Sequence, residues 1–325
     1  MNCGRAALVF PEILEIELTR RCNLACKMCQ RTVVEAAASD RELSETLLAT
    51  ILSQCSGHSP QINLGGLGES LLHKNLPRLF AMIKTHDRTI RTGFNTNGLL
   101  LTNALDDWLL DGRVDYLSIS LNAPDAPGYR RLVGSDVYAK IVRRARAFLR
   151  RKGRGSKPLT TVHTFRLAEF AERNVEFVRE WRELADFVQQ RELGNWAGTV
   201  DRSIFGAEPL VLGLCDRPWL SVAIDVDGGY HRCCSTFAIE KPRHSIYDVT
   251  VRDYWLGTQM NAQRRQMTRG MFEEASPCKR CSGRAIPANT VIERAALAGA
   301  AEWSCGNIGA MAGSGQKDED QSILR

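Results

Sequence analysis

Apolar and polar residues alternate along EILEIELT, residues 12–19, in the two-residue rhythm of a strand with two different faces. A loop carrying three cysteines follows at once. SETLLATILSQC then changes to helical spacing and begins at Ser44, a hydroxyl suited to an N-cap. QINLGGLGES reads as a strand running into a glycine-rich turn, NLPRLFAMIKTH as a helix, and IRTGFNTNGLLL as a strand and turn. ALDDWLLDG is helical, VDYLSISLN a strand, VYAKIVRRARAFLRR a long helix, LTTVHTF a strand and RNVEFVREWRELA a further helix. Strand and helix alternate five or six times over about 190 residues, which predicts an α/β fold with a parallel sheet and right-handed crossovers, closed as a barrel or part of one. Ligand chemistry then belongs at the C-terminal ends of the strands.

After NWAG (195–198) the pattern changes, and glycine, proline and cysteine punctuate short strands such as LSVAIDVDGGYHRCC. This divides the chain into a core at 1–200, a smaller cysteine-bearing unit at 201–290 and a C-terminal extension at 291–325, whose small, polar tail is expected to be disordered.

Of 325 residues, 44% are hydrophobic and 25% charged, the balance of a globular chain. AALVF near the N-terminus is too short for a signal h-region and no apolar run reaches membrane length, so the expectation is a soluble, cytoplasmic protein with no membrane partner. The formal charge of +6 gathers in RRARAFLRRKGRGSK, 143–157. With no interleaved aromatic beyond Phe148, this run reads as a solvated helix end and loop, and no nucleic-acid partner is expected. The eleven cysteines sit in close clusters in a large chain, which favours metal ligation over a disulfide framework.

Cys22, Cys26 and Cys29 form C-x3-C-x2-C directly after the first strand. Thiolates select iron–sulfur clusters or zinc, and three of them leave a position open for an exchangeable ligand. A structural zinc site wants a fourth Cys or His nearby, yet the next histidine is His58. The bland alternative is three unrelated buried thiols. The triplet resembles that of the radical SAM superfamily, whose fold is a partial (β/α)6 barrel and whose [4Fe–4S] cluster chelates S-adenosylmethionine at its open iron.

Other stretches match that family in order. GGLGESLLH (65–73) resembles the segment that holds the methionine amino group, which makes Gly66, Gly68 and Glu69 candidates. A glycine-rich strand end lets backbone carbonyls approach an ammonium, and Glu69 adds a charge-matched acceptor. Ser118, Ser120 and Asn122 share one face of VDYLSISLN, and the resemblance implies ribose and carboxylate contacts for Ser120 and Asn122. Met28 resembles the apolar position near adenine. NTNG (95–98) reads as a turn.

A second set spans Cys215, Gly228, Cys233 and then Cys278 and Cys281. It resembles the opening of the SPASM pattern; position 287 is Pro287 rather than a further cysteine, and only Cys305 follows, so the resemblance is to the truncated Twitch version with one auxiliary [4Fe–4S] cluster. Structural zinc is the alternative. Cys234 is expected to point away from the ligand face of an extended segment, and Cys3 and Cys55 read as buried thiols.

The resemblance implies an enzyme that reductively cleaves S-adenosylmethionine with electrons from a reductant such as flavodoxin or ferredoxin. The radical would take a hydrogen from a small molecule, since the chain lacks the leader-binding domain or full SPASM region of peptide-modifying relatives. Similarity to aminocyclitol dehydrogenases and aminoglycoside epimerases leaves two outcomes open: oxidation of a carbinol carbon in a biosynthetic pathway, of the antibiotic type, or epimerisation with Cys234 or Cys305 returning hydrogen. Peptide or protein modification and a non-enzymatic iron–sulfur carrier are the remaining alternatives.

Overall fold

The computed structural model describes residues 9–34, 39–210 and 212–284; Cys3, Cys305 and the C-terminal extension lie outside them. Eight strands form one sheet: β1 (Ile13–Glu17), β2 (Gln61–Gly65), β3 (Thr92–Thr96), β4 (Tyr116–Asn122), β5 (Leu159–Phe165), β6 (Phe187–Arg191), β7 (Ser221–Ile224) and β8 (Tyr230–His231). Their order is β6-β5-β4-β3-β2-β1-β7-β8. β1 to β6 run parallel in chain order, the arrangement of a partial (β/α)6 barrel.

The crossover helices are α1 (Gln30–Val33), α2 (Glu45–Ser53), α3 (Leu76–His86), α4 (Asn103–Leu109), α5 (Ala126–Val133), α6 (Tyr138–Lys152) and α7 (Ala171–Arg182). Ser44 caps α2 as expected, accepting from Leu47 N at 3.0 Å. Leu14, Ile16, Leu64, Phe94 and Ile119 point to the helices and join Leu48, Phe80, Ile83 and Phe148 in one core. By strand alternation, Glu15, Glu17, Asn63, Ser118 and His163 face the concave side.

Two strands from the 201–290 stretch lengthen this sheet. β7 lies parallel to β1, with Glu15 opposite Ala223, and β8 returns antiparallel through a turn at Asp225–Gly229. The turn is bound to Asp225, whose Oδ1 accepts from Gly229 N at 2.8 Å and Asp227 N at 3.0 Å and whose Oδ2 meets His231 Nε2 at 2.9 Å. Then follow α8 (Arg217–Leu220, ahead of β7), α9 (Val251–Leu256) and α10 (Thr258–Arg269). Among the described residues no helix is long and apolar enough to cross a membrane.

Candidate radical and auxiliary cluster sites

The three leading cysteines leave β1 in a loop held from both sides. Glu69 N donates to Arg21 O at 2.8 Å and Met28 N to Leu132 O at 3.3 Å. Gly68 is required here, because a Cβ would lie 2.4 Å from both Thr19 O and Arg21 O. Cys29 is the N-cap of α1, and Cys29 N donates to Cys26 O at 3.0 Å. Burial pushes the Cys26 thiol up to about 12, and neighbouring Cys29 and Cys22 add to it. Burial likewise raises Cys22 and Cys29. Three thiols resisting ionisation side by side lose their protons when a soft metal takes the charge, so loading releases protons.

Glu69 is bonded at both carboxylate oxygens. Its Oε1 accepts from Thr96 Oγ1 at 2.7 Å and Leu71 N at 3.1 Å, and its Oε2 from Asn97 N at 2.7 Å. It thereby locks the end of β2 to that of β3. NTNG is more than a turn, since Asn97 Nδ2 also donates to Asn23 Oδ1 at 2.8 Å inside the cysteine loop. Gly66 adopts φ +105°, and a Cβ on it would meet Glu17 Cγ at 2.5 Å. Glu17 itself is fully buried with Oε1 unpartnered among the described residues, and burial raises its carboxyl. An orphaned acceptor beside these glycines fits an amine-bearing ligand such as S-adenosylmethionine. Ser120 is half-buried on the concave face of β4. Asn122 follows a register shift and has φ +66°, so simple alternation does not carry to it. Met28 is buried in the helix-side core, and its carbonyl accepts from Trp196 Nε1 at 3.0 Å.

Residues 16–172 match the family model of the Radical SAM superfamily. The chain carries a radical SAM domain. That domain brings with it a [4Fe–4S] cluster and S-adenosylmethionine, which the Cys22–Cys29 loop and the glycine turn suit. Among curated proteins the chain is 31% identical over 110 residues to the tungsten-containing aldehyde ferredoxin oxidoreductase cofactor-modifying protein of Pyrococcus furiosus. This alignment covers 34% of the chain and 30% of that protein, so the chain spans about a third of the relative's length. Among solved structures it resembles BtrN in complex with AdoMet and 2-DOIA, with TM-score 0.59 and 19% identity, covering 83% of this chain and 92% of that one. It also resembles Streptococcus suis SuiB bound to precursor peptide SuiA, with TM-score 0.62 and 16% identity, covering 88% and 73%. At these identities the structural likeness concerns the fold.

The second cysteine set gathers beyond the radical SAM domain. Cys281 lies near enough to Cys215, Cys233 and Cys278 to push each thiol up, after burial, which is the largest cause for all three. Gly283 N donates to Cys281 Sγ at 3.3 Å. Four soft donors from separate segments suit an iron–sulfur cluster. Among the described residues no three His, Cys, Asp or Glu side chains converge as ligands of a single ion would. Cys234 does not continue an extended strand: Cys233 caps a 3-10 turn over Cys234–Thr236, and Cys234 packs against Leu67, Ala223 and Phe237. Leu67 belongs to the glycine turn, so this thiol stands between the two cysteine sets. Cys55 is a buried thiol bonded to Ile51 O at 3.4 Å.

The concave face also carries a polar network, of which only Ser118 was read from the sequence. Gln61 Nε2 donates to Asn63 Oδ1 at 2.8 Å and Tyr116 OH at 3.1 Å; Asn63 Nδ2 and Arg217 Nη1 each donate to Glu15 Oε1 at 3.1 Å. Across β4–β6, Ser118 Oγ lies 3.4 Å from His163 Nδ1 and accepts from Arg191 Nη2 at 3.4 Å, while Arg191 Nε donates to Gln189 Oε1 at 2.8 Å. Burial, aided by Arg191, holds His163 well below its usual range, so it is a neutral imidazole at physiological pH. The available signal was the alternation itself: polar residues at every second strand position leave no apolar lumen.

Proposed function

We propose that the chain is a radical SAM oxidoreductase that removes hydrogen from a carbinol carbon of a small polyol, aminocyclitol or amino sugar, with an auxiliary [4Fe–4S] cluster at Cys215, Cys233, Cys278 and Cys281. The concave face supports this most directly. Asn63, Ser118, His163 and Gln189 line it with hydrogen-bonding groups, the complement of a substrate bearing many hydroxyls. Bound S-adenosylmethionine with its reduced cluster supplies a hydrogen-abstracting carbon radical. The chain's residues orient the substrate and keep water from the radical. After loss of a hydrogen atom, the carbinol radical becomes a carbonyl by losing one electron and one proton; Cys215, Cys233, Cys278 and Cys281 would hold a cluster that would supply the electron acceptor, and the proton would pass to solvent. Likeness to BtrN, whose structure holds AdoMet and 2-DOIA and whose chain is matched over 92% of its length, accords with this.

Epimerisation is the second reading, favoured by one observation: the Cys234 thiol beside Leu67 is a candidate hydrogen donor to the opposite face of a carbon radical. Peptide modification draws on the likeness to SuiB. Anaerobically reconstituted protein, S-adenosylmethionine, a reductant and a panel of aminocyclitols and amino sugars in deuterated water decide between them. The expected product is a ketone formed with one 5′-deoxyadenosine each. An epimer carrying solvent deuterium, lost in Cys234→Ala, would overturn dehydrogenation.

A further inference from the structure

Among the described residues, Arg217, Arg232 and Arg284 attend the second cysteine set, and Arg217 joins it to the polar network. Arg232 Nε pairs with Glu240 Oε1 at 2.7 Å. Arg217 starts α8 two residues after Cys215 and bonds Glu15, the concave-face carboxylate of β1. Through Glu15 it connects to Asn63, and through Asn63 and Gln61 to Tyr116. Its guanidinium field bears on Cys215 and Cys233, both proposed ligands, and on Cys234. The field of Glu15 bears on Cys234. The cation is thus anchored between the Cys215 segment and Glu15, with its counter-charge on the concave face.

We propose that Arg217, held by Glu15, sets the reduction potential of the auxiliary cluster and keeps it high enough to accept an electron. This rests on the auxiliary-cluster reading above. A cluster held by four thiolates is anionic and gains one more negative charge on reduction. A fixed cation beside two of its sulfurs stabilises the reduced form more than the oxidised one, and in a half-buried site solvent screens this only partly. Arg217 cannot relax the effect by losing its proton, since a guanidinium stays charged in proteins. Arg217 is therefore a tuning residue: it touches no reacting atom and acts through the cluster's charge. Because Glu15 opens onto the concave face, a polar substrate bonded there also shifts the pair that tunes the cluster.

The test is a redox titration followed by electron paramagnetic resonance on full-length protein in which Cys22, Cys26 and Cys29 are alanine, so that one cluster remains. Arg217→Gln should lower the midpoint by at least about 59 mV, a tenfold change in a one-electron equilibrium. Arg217→Lys should recover most of that shift, and Glu15→Gln should raise the midpoint. A merely structural arginine would not produce opposite signs at its two ends. If Arg217→Gln fails to hold iron, Glu15→Gln decides: a rise supports the proposal and an unchanged midpoint overturns it. A titratable cluster indifferent to both substitutions overturns this proposal alone, whereas a background protein that binds no iron overturns the auxiliary-cluster reading with it.

Discussion

Adding one methyl group at Gly68 tests whether the glycine turn builds the cysteine loop. A Cβ there would sit 2.4 Å from the carbonyl oxygens of Thr19 and Arg21, against a floor of 3.0 Å for real contacts, so each must retreat by about 0.6 Å. Both obstacles are backbone and cannot swing aside as a side chain would. Overpacking of this kind costs about 1–3 kcal/mol. Separating the strands also weakens the 2.8 Å bond from Glu69 N to Arg21 O, worth about 1 kcal/mol. Gly68→Ala should therefore destabilise the metal-free protein by about 2–4 kcal/mol, or roughly 5–15 °C in Tm at 2–4 °C per kcal/mol. Arg21 precedes Cys22, so the displacement reaches the first ligand, and 5′-deoxyadenosine formation should fall in parallel. Gly65→Ala is the control for stability: its Cβ would meet nothing within 4 Å, and the change should lie within about 1 kcal/mol. The measurements are thermal unfolding of metal-free protein and product analysis after reconstitution. Equal melting temperatures for Gly68→Ala and wild type, with undiminished cleavage, would refute the reasoning.

Replacing Cys22, Cys26 and Cys29 by alanine should lower iron from about eight to about four per chain and abolish 5′-deoxyadenosine formation; continued formation would remove the assignment of the loop. Replacing Cys233 and Cys281 should lower iron equally while cleavage of S-adenosylmethionine stays measurable, and zinc in their place would argue for a structural site. Burial raises Asp225, but its bonds from His231 and Gly229 N outweigh that and hold the carboxyl below its usual 3.8. Its contribution is complete above that value and is lost as pH falls through the lower folded value. The urea midpoint of metal-free protein should accordingly decline below about pH 4, and Asp225→Asn should flatten that limb; identical acid limbs would count against the hairpin account.

The core strands were legible because alternation and helical spacing are local signals, and the cysteine triplet because its spacing is read within eight residues, 22–29. β6 was not read as a strand. Its FVQQR turns polar residues to the concave face, and Val188 is only half-buried on the other, so the hydrophobic signal is faint. α10 escaped for a similar reason, since it buries Gln263 and Arg264 beside Met260 and Met267. Arg264 donates there to Pro218 O and Trp255 O at 2.8 and 2.9 Å, partners no local pattern announces. The pairing of β7 with β1 joins residues more than 200 apart in the chain, Ile13 with Ser221, and only tertiary structure reveals it.

That pairing changes what the second cysteine set is. Cys215 and Cys233 flank strands of the same sheet that delivers Cys22. Asn195 closes the remaining gap. Its side chain accepts from Ser282 N at 2.8 Å and donates to Arg280 O at 2.7 Å, on either side of Cys281. The next residue, Trp196, bonds Met28 O beside Cys29, and Gln30 Nε2 reaches Cys234 O at 3.5 Å. Trp196 and Ala197 hold φ of +47° and +58°, a left-handed conformation costing non-glycine residues about 1–2 kcal/mol each. Such strain persists where surrounding bonds over-determine the backbone. Here those bonds run to both cysteine sets, so the strained pair ties the Cys22–Cys29 loop to the Cys278–Cys281 turn.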